Sequence, residues 1–384
     1  MISFLKAYAK LLHIKIIIMS ATLPRLGQLT LEKQEITSLI TEREKYFSHP
    51  LFRNRVTVDF SLLDEADTYE ALMDKVLELG KEPHKKILVE FIKKKTAINF
   101  YNDLVERMEN EGVEKKLMLL TGDDSKWERE KCIRYIKDEN NSEVILVATQ
   151  LIEAGVDIDM DYGLKDISLL DAEEQFLGRI NRSCKKPGCK AYFFDLDSAT
   201  MLYKNDYRKG KSVTLLEESM QQLLISKDFE KYYEIIFEDL KNHNNQYNTN
   251  NLEDFKKKEL QGLRYGVVKK RMQLIDEDLY PCTVFLGIEI EVENNDKHRI
   301  IDGKAVWERY ITLLENQKMP YAEKKVKLSN MREEMSCFMW KVKRVDVGHT
   351  KRIGDVFYIE DGEQYMEHGK FNRESLCGSS YEMI

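Results

Sequence analysis

The chain has 384 residues, 42% hydrophobic, 33% charged and 10% aromatic, with 6 prolines. This excludes collagenous and wholly disordered classes and is length enough for two or three domains with a sizeable core, mostly helical. Lys and Arg number 60 against 67 Asp and Glu, a net charge of −7, so bulk charge does not hold the molecule to nucleic acid and any such contact must be local.

Residues 2–12 carry Phe4, Leu5, Tyr8, Leu11 and Leu12 at helical spacing, and Ile16-Ile17-Ile18-Met19 reads as a buried strand. A polar segment follows Ser20-Ala21-Thr22-Leu23-Pro24 to about Phe47, and Arg55 to Leu63 then reads as a strand. From there the pattern alternates. A helix is expected near 68–80, then strand 87–91, helix 95–110, strand 117–120, helix 126–137, strands 143–148 and 167–170, helix 172–182 and strand 191–196. Such alternation predicts an α/β fold, a parallel sheet covered on both faces. Beyond residue 200 come helical patterns at 213–225 and 229–241, an Asn-rich tract at 242–251 expected as a loop, a strand-like run at 283–290 and helix 304–316, an α+β accessory region.

Six cysteines at 132, 184, 189, 282, 337 and 377 follow no repeated spacing, and no secretory signal precedes them, which points to a reducing, cytoplasmic setting. Cys184 and Cys189 flank Lys185-Lys186-Pro187-Gly188, and no second pair stands at zinc-ligand spacing, so no metal site is expected. The apolar stretch Ile14–Leu23 is broken by Lys15 and Ser20 and falls short of the roughly 20 residues that span a bilayer, so no membrane segment is expected.

The chemistry concentrates in Val147-Ala148-Thr149-Gln150-Leu151-Ile152-Glu153-Ala154-Gly155-Val156-Asp157-Ile158-Asp159 and, one strand later, Glu174-Gln175-Phe176-Leu177-Gly178-Arg179-Ile180-Asn181-Arg182. A strand ending in a turn with Gly155 and Asp157 lets backbone approach a nucleotide and offers a carboxylate to ribose hydroxyls. Positions 175, 179 and 182, on the expected helix 172–182, fall on one helical face. Guanidinium groups there match phosphate oxygens bidentately.

Together with Ser20-Ala21-Thr22 upstream, these segments resemble signature motifs of superfamily 2 helicases. Within that superfamily they are most similar to the helicase-nuclease of type I CRISPR interference, as are Tyr46-Phe47-Ser48-His49-Pro50-Leu51-Phe52 and Tyr365-Met366-Glu367-His368-Gly369-Lys370-Phe371-Asn372-Arg373. The resemblance implies a RecA-like parallel sheet, the second helicase lobe, at 55–200. It also implies a remnant of the first lobe at 1–27, an interlobe connector at 28–54 and an α+β C-terminal accessory domain at 201–384. It implies ATP-driven tracking on single-stranded DNA during antiviral degradation of foreign DNA, with the CRISPR surveillance ribonucleoprotein complex as partner.

By the same resemblance Arg182 would be the arginine finger, Arg179 would hold the γ-phosphate, and Gln175 would position phosphate or water. Gly155 and Asp157 would line the nucleotide cleft. Thr149 and Lys94-Lys95-Thr96 would touch the DNA backbone, the latter at a helix N-terminus, and Ser20, Ala21 and Thr22 would couple nucleotide state to lobe movement. Thr121-Gly122-Asp123-Asp124 departs from the family's basic or His-containing stretch and receives no role.

A motor of this kind also needs a Gly-rich loop with Lys-Ser/Thr and a magnesium carboxylate. Gly210-Lys211-Ser212 lacks the earlier glycine, position 205 being Asn. Asp64-Glu65-Ala66-Asp67 stands after Ser-Ala-Thr instead of before it and reads as the acidic opening of a helix. None of the seven histidines is followed by Asp, so no nuclease centre is expected. ATP and Mg2+ would therefore require a first lobe, carried with the nuclease portion outside this sequence. The stretch Phe255 to Gln273, at +6, fits either a tracked nucleic-acid strand or a solvated helix face. Two other readings remain: a non-enzymatic module binding single-stranded DNA or the surveillance complex, and part of another superfamily 2 translocase.

Overall fold

The runs Ile87-Leu88-Val89 and Ile145-Leu146-Val147-Ala148 are short, apolar and uninterrupted, as strands buried on both faces must be. The computed structural model describes residues 2–20, 22–24, 37–40, 42–150, 156–197, 206, 208, 210–247, 255–272, 282–294, 297–342, 351–367 and 369–377, and places both runs at the centre of a six-stranded sheet. Its elements are α1 (Ile2–Leu12), α2 (Arg43–Phe47), α3 (Pro50–Arg53), β1 (Thr57–Asp59), α4 (Thr68–Gly80), β2 (Lys86–Phe91), α5 (Lys94–Glu111), β3 (Lys116–Leu120), α6 (Lys126–Lys137), β4 (Val144–Thr149), β5 (Tyr162–Asp166), α7 (Leu170–Leu177), β6 (Lys190–Phe194), α8 (Glu218–Ser226) and α9 (Phe229–Tyr247). The strand order is β1-β6-β5-β2-β4-β3, and every pairing is parallel. The α/β expectation is met.

Local chemistry sets the helix ends. Asp67 caps α4 by accepting from the Glu70 amide at 3.2 Å, so the acidic tetrapeptide 64–67 does open a helix. The helix α5 buries Ala97, Phe100, Leu104 and Met108, one stripe at helical spacing, and stops at Gly112 in the left-handed conformation, φ +66°. Phe100, Phe91 and Phe194 pack with Leu72, Val76 and Leu104 into the core beneath α4 and α5. At the sheet centre lies a charged cluster: Lys165 of β5 pairs with Glu90 of β2, its register partner, and lies 3.8 Å from Glu173, with all three side chains about 1% exposed.

Four sequence expectations are corrected. Ile167 to Leu170 is the passage into α7, the strand being Tyr162–Asp166. Ile16 to Met19 forms no strand and stays exposed, Ile16 at 42% and Met19 at 88%, because among the described residues no strand pairs with it to bury an apolar face. The Asn-rich tract is helical as far as Tyr247, since α9 buries Tyr232, Tyr233, Ile236 and Phe237 and that packing carries the helix past weak formers. The helix expected at 172–182 spans Leu170–Leu177.

The chain clusters into two compact units, Met1–Leu120 with Tyr135–Gln273, and Thr121–Arg134 with Leu274–Ile384. The first holds the six-stranded sheet together with α8 and α9, which lie past the expected boundary at 200. The second is built on a four-stranded sheet of Met339–Val342, Cys282–Leu286, Val356–Ile359 and Lys351–Ile353. Phe285, Trp307, Phe338 and Tyr358 form its core, with the Trp307 and Tyr358 rings stacked at 4.7 Å. Thr121–Arg134 is built into this unit. The Trp340 indole donates to the Asp123 carbonyl at 2.9 Å, Arg373 donates to the Gly122 carbonyl at 2.5 Å, and Lys370 pairs with buried Asp124. The two acidic residues at 123–124 are therefore internal partners of the second unit's cations.

Candidate functional site

The carboxyl end of β4 delivers Thr149, which pairs in register with Phe91 at the end of β2. Three residues beyond Phe91, α5 begins with Lys94, Lys95 and Thr96, its first turn holds no acidic residue, and no side chain caps it. The preceding Lys93 is held instead by Asp197, its amide at 3.1 Å and its ammonium at 2.9 Å. Thr149 and the α5 N-terminus thus share one edge of the sheet, where amide donors and cations favour an anion.

After β4 the predicted Gly155 lies outside the described residues. Beyond it Val156 and Ile158 are buried, and Asp157 between them is exposed, as alternation in an extended segment requires. Its Oδ1 accepts from the Arg182 Nε at 2.7 Å and its Oδ2 from the Lys137 ammonium at 2.9 Å. Lys137 first, then Arg182, hold the Asp157 carboxyl below its ordinary range. Lys137, at the end of α6, carries no motif signal; only the fold brings it here.

Gln175, Arg179 and Arg182 do not share a helical face. Gln175 sits exposed on α7, which ends at Leu177 with Gly178 as its cap. Arg179 follows in a turn, half-buried. Ile180 then bridges Met160, with the Met160 amide donating to Arg179 O at 2.9 Å and the Asn181 amide to Met160 O at 2.8 Å. Those bonds use the backbone groups that a longer helix would need for itself. Asn181 takes φ +45°, and the Arg182 amide reaches Asp159 Oδ1 at 2.8 Å. Gly163 on β5 makes this possible, because a Cβ there would stand 2.6 Å from Ile180 and 2.7 Å from Phe176. Close approach of α7 and its exit turn to the sheet requires glycine.

Of the tripeptide, Ala21 lies outside the described residues. Ser20 Oγ accepts from the Thr22 amide at 3.3 Å. Thr22 is buried and its side chain lies beside Tyr233 of α9. The Tyr233 hydroxyl donates to Asp171 Oδ2 at 3.4 Å, and Arg208 clasps the same carboxylate at 2.7 Å and Asp206 at 2.6 Å. Thr22 is thereby tied to the first turn of α7, one helical turn before Gln175. Asp171 opens the family-like segment that runs to Arg182, whereas no motif flags Tyr233 or Arg208, because their proximity depends on how α9 packs.

At the same edge, Asp166 at the end of β5 is fully buried and accepts from the Leu196 amide at 3.0 Å and the Asp197 amide at 3.2 Å. Burial pushes its carboxyl from an ordinary 3.8 up to about 7. The native state then keeps a proton that the unfolded chain releases, so this group's contribution to stability falls as pH rises from about 4 through about 7. Asp166→Asn should cost most near pH 4, and the gap in melting temperature from wild type should narrow by pH 8; a gap constant across thermal scans in that window refutes the assignment.

Among the described residues no cluster of three His, Cys, Asp or Glu can hold a metal ion. Cys189 is buried, which raises its thiol to about 11, and Cys184 is a free thiol at φ +56°. Lys211 and Ser212 lie in an exposed turn, Lys211–Val213. No described helix is long and apolar enough to cross a membrane. What the site offers to a ligand is phosphate chemistry: the exposed guanidinium of Arg182, the amide of Gln175 and the α5 N-terminus. Arg182 and Gln175 fit the phosphates of a nucleotide and the α5 N-terminus those of a nucleic-acid backbone, whereas the described residues supply no ligand set for Mg2+.

An all-parallel six-stranded sheet with helical crossovers, carrying Thr149 and the α5 start on its carboxyl edge and Asp157 against Arg182 on the adjoining turns, is a RecA-like lobe of the helicase type. Residues 83–185 match the family model described as "CRISPR-associated nuclease/helicase Cas3, C-terminal", so this portion of the chain is similar to the C-terminal part of that family. Among solved structures, T. fusca Cas3-AMPPNP is similar at 13% identity and TM-score 0.46, over 79% of this chain and 39% of that one. T. fusca Cas3-ADP gives 18% and 0.32, over 38% and 19%. S. cerevisiae Dbp5 bound to RNA and ADP BeF3 gives 20% and 0.29, over 39% and 37%. The chain thus spans well under half the length of these proteins. No curated protein matches it.

Proposed function

We propose that this chain is the second motor lobe of a CRISPR-associated, ATP-dependent DNA helicase acting in antiviral defence, and that it supplies the arginine half of a composite ATP site. The pairing of Asp157 with Arg182 carries the reading. It sets the candidate arginine finger beside the candidate ribose-binding carboxylate, on two turns joined by the Ile180–Met160 bridge and the Arg182 amide on Asp159. Both side chains are solvent-exposed, so the pair is screened and breaks at little cost when a triphosphate competes for the guanidinium. Gln175 would orient phosphate or water, and Arg179 would reach the γ-phosphate from the turn after α7. Gly155 would complete the nucleotide cleft, and Mg2+ would be held by a first lobe. Thr149, Lys94, Lys95 and Thr96 would hold a single DNA strand, and Ser20, Ala21 and Thr22, through Tyr233 and Asp171, would link lobe movement to α7. The nuclease-bearing portion and the surveillance ribonucleoprotein are the partners this reading requires.

The test is ATP hydrolysis with single-stranded DNA present. The chain alone should give no turnover above background, and turnover should appear when a polypeptide carrying the first lobe is added. Robust hydrolysis by the isolated chain would overturn the shared-site reading.

A further inference from the structure

Arg182 leaves from a turn, and its side chain is half-exposed, so core packing does not set its direction. The backbone it springs from does. The residue before it, Asn181, is 3% exposed and stands in the left-handed region at φ +45°, where a side chain other than Asn or Asp is strained. Its side-chain amide donates to Arg55 O at 2.9 Å and to Lys186 O at 2.8 Å, and its Oδ1 accepts from the Lys186 amide at 3.0 Å. Its main-chain carbonyl accepts from the Cys184 amide at 2.9 Å. Only this orientation of the amide works, because the flipped one would set an oxygen against two carbonyls.

The partners of Asn181 are anchored in turn. Arg55 stands two residues before β1, and its guanidinium donates to Leu177 O, at the last residue of α7, at 3.1 Å. Lys186 sends its ammonium to Asp159 O at 2.8 Å and to Asp161 Oδ2 at 3.3 Å, on the same segment whose Asp159 Oδ1 takes the Arg182 amide. The end of α7, the approach to β1, the turn after Arg182 and the segment from Asp157 to Asp161 are thus drawn together at one side chain. Such a set of bonds adds modest net stability, since each replaces a bond to water, but a buried polar group with every partner in place admits a single geometry.

We infer that Asn181 is a positioning residue for the arginine finger: its amide fixes the turn from which Arg182 reaches a phosphate. The inference rests on the finger reading of Arg182. The test is steady-state ATP hydrolysis by the reconstituted motor with saturating single-stranded DNA, with thermal melts to show that each variant is folded. Asn181→Gly keeps the left-handed backbone without strain and removes the three side-chain bonds. It should lower kcat about 10²-fold, the scale of a misplaced group, while KM for ATP stays within about twofold, because the loss falls on the transition state alone. In an Arg182→Ala background the same change should cost turnover less than about twofold, since two residues that act as a unit are not additive. Should Asn181→Gly fail to melt cooperatively, Arg55→Gln, which leaves Asn181 in place and frees only Leu177 O, decides the point by the same cycle. Equal losses in both backgrounds would make Asn181 a structural residue and overturn the inference while the finger stands, as would an unchanged kcat in folded Asn181→Gly. Full turnover in Arg182→Ala removes the finger itself, and the inference falls with it.

Discussion

Arg182→Ala in the reconstituted motor should reduce ATP turnover by about 10³-fold or more, the usual range for loss of an arginine finger, while the melting temperature of the chain stays within about a degree. The side chain is half-exposed and its partners are Asp157 and the Gly178 carbonyl at 3.5 Å, so folding owes it little. Arg182→Lys should recover only a small part, because an ammonium keeps the charge but loses the planar fork. Steady-state hydrolysis with saturating single-stranded DNA measures both, and unchanged turnover in Arg182→Ala removes the assignment. Loss of turnover accompanied by loss of melting cooperativity would place Arg182 in folding instead of catalysis.

The largest stability effect should come from the sheet centre, where no ligand acts. Lys165→Met takes away the ammonium that both Glu90 and Glu173 face, at side chains about 1% exposed. Removing one partner from a buried charge cluster costs about 3–5 kcal/mol, which for a unit of this size lowers the melting temperature by roughly 10 °C. The double variant Lys165→Met/Glu90→Leu should recover part of that loss, since it also removes one of the two carboxylates that faced the ammonium. Glu173 matters beyond stability: its Oε1 accepts from the Ser168 amide, and it belongs to α7, so the cluster fixes the helix whose exit turn bears Arg179. Thermal melts of the three variants decide the point, and a Lys165→Met protein as stable as wild type refutes the account.

Much of the sheet was legible in the sequence, because strand and helix periods are local properties. The helix 68–80 and the strands at 87–91 and 117–120 follow directly from apolar spacing, and Asp67 announced itself as a helix opener. The fifth strand was displaced by several residues because Tyr162-Gly163-Leu164-Lys165-Asp166 mixes glycine and charge. Its Lys165 is tolerated only by burial against Glu90, and Gly163 only by the approach of Phe176. Neither reason is local.

Within the site, the sequence by itself determined which residue types occur and in what order: Ser20 and Thr22, the α5 start, Thr149, Asp157, Gln175, Arg179 and Arg182. The tertiary structure decided which of them meet. A regular helix through residue 182 would have put Gln175, Arg179 and Arg182 on one face, but the Ile180–Met160 bridge ended it and turned Arg182 toward Asp157. Lys137 reached Asp157, and Thr22 reached Asp171 through Tyr233, by packing between segments far apart in the chain. Likewise Asp123 and Asp124, silent as a motif, proved to be buried partners of Arg373 and Lys370. Periodicity is written in neighbouring residues, whereas a hydrogen bond or ion pair across the fold exists only once both sides have been carried to the same place.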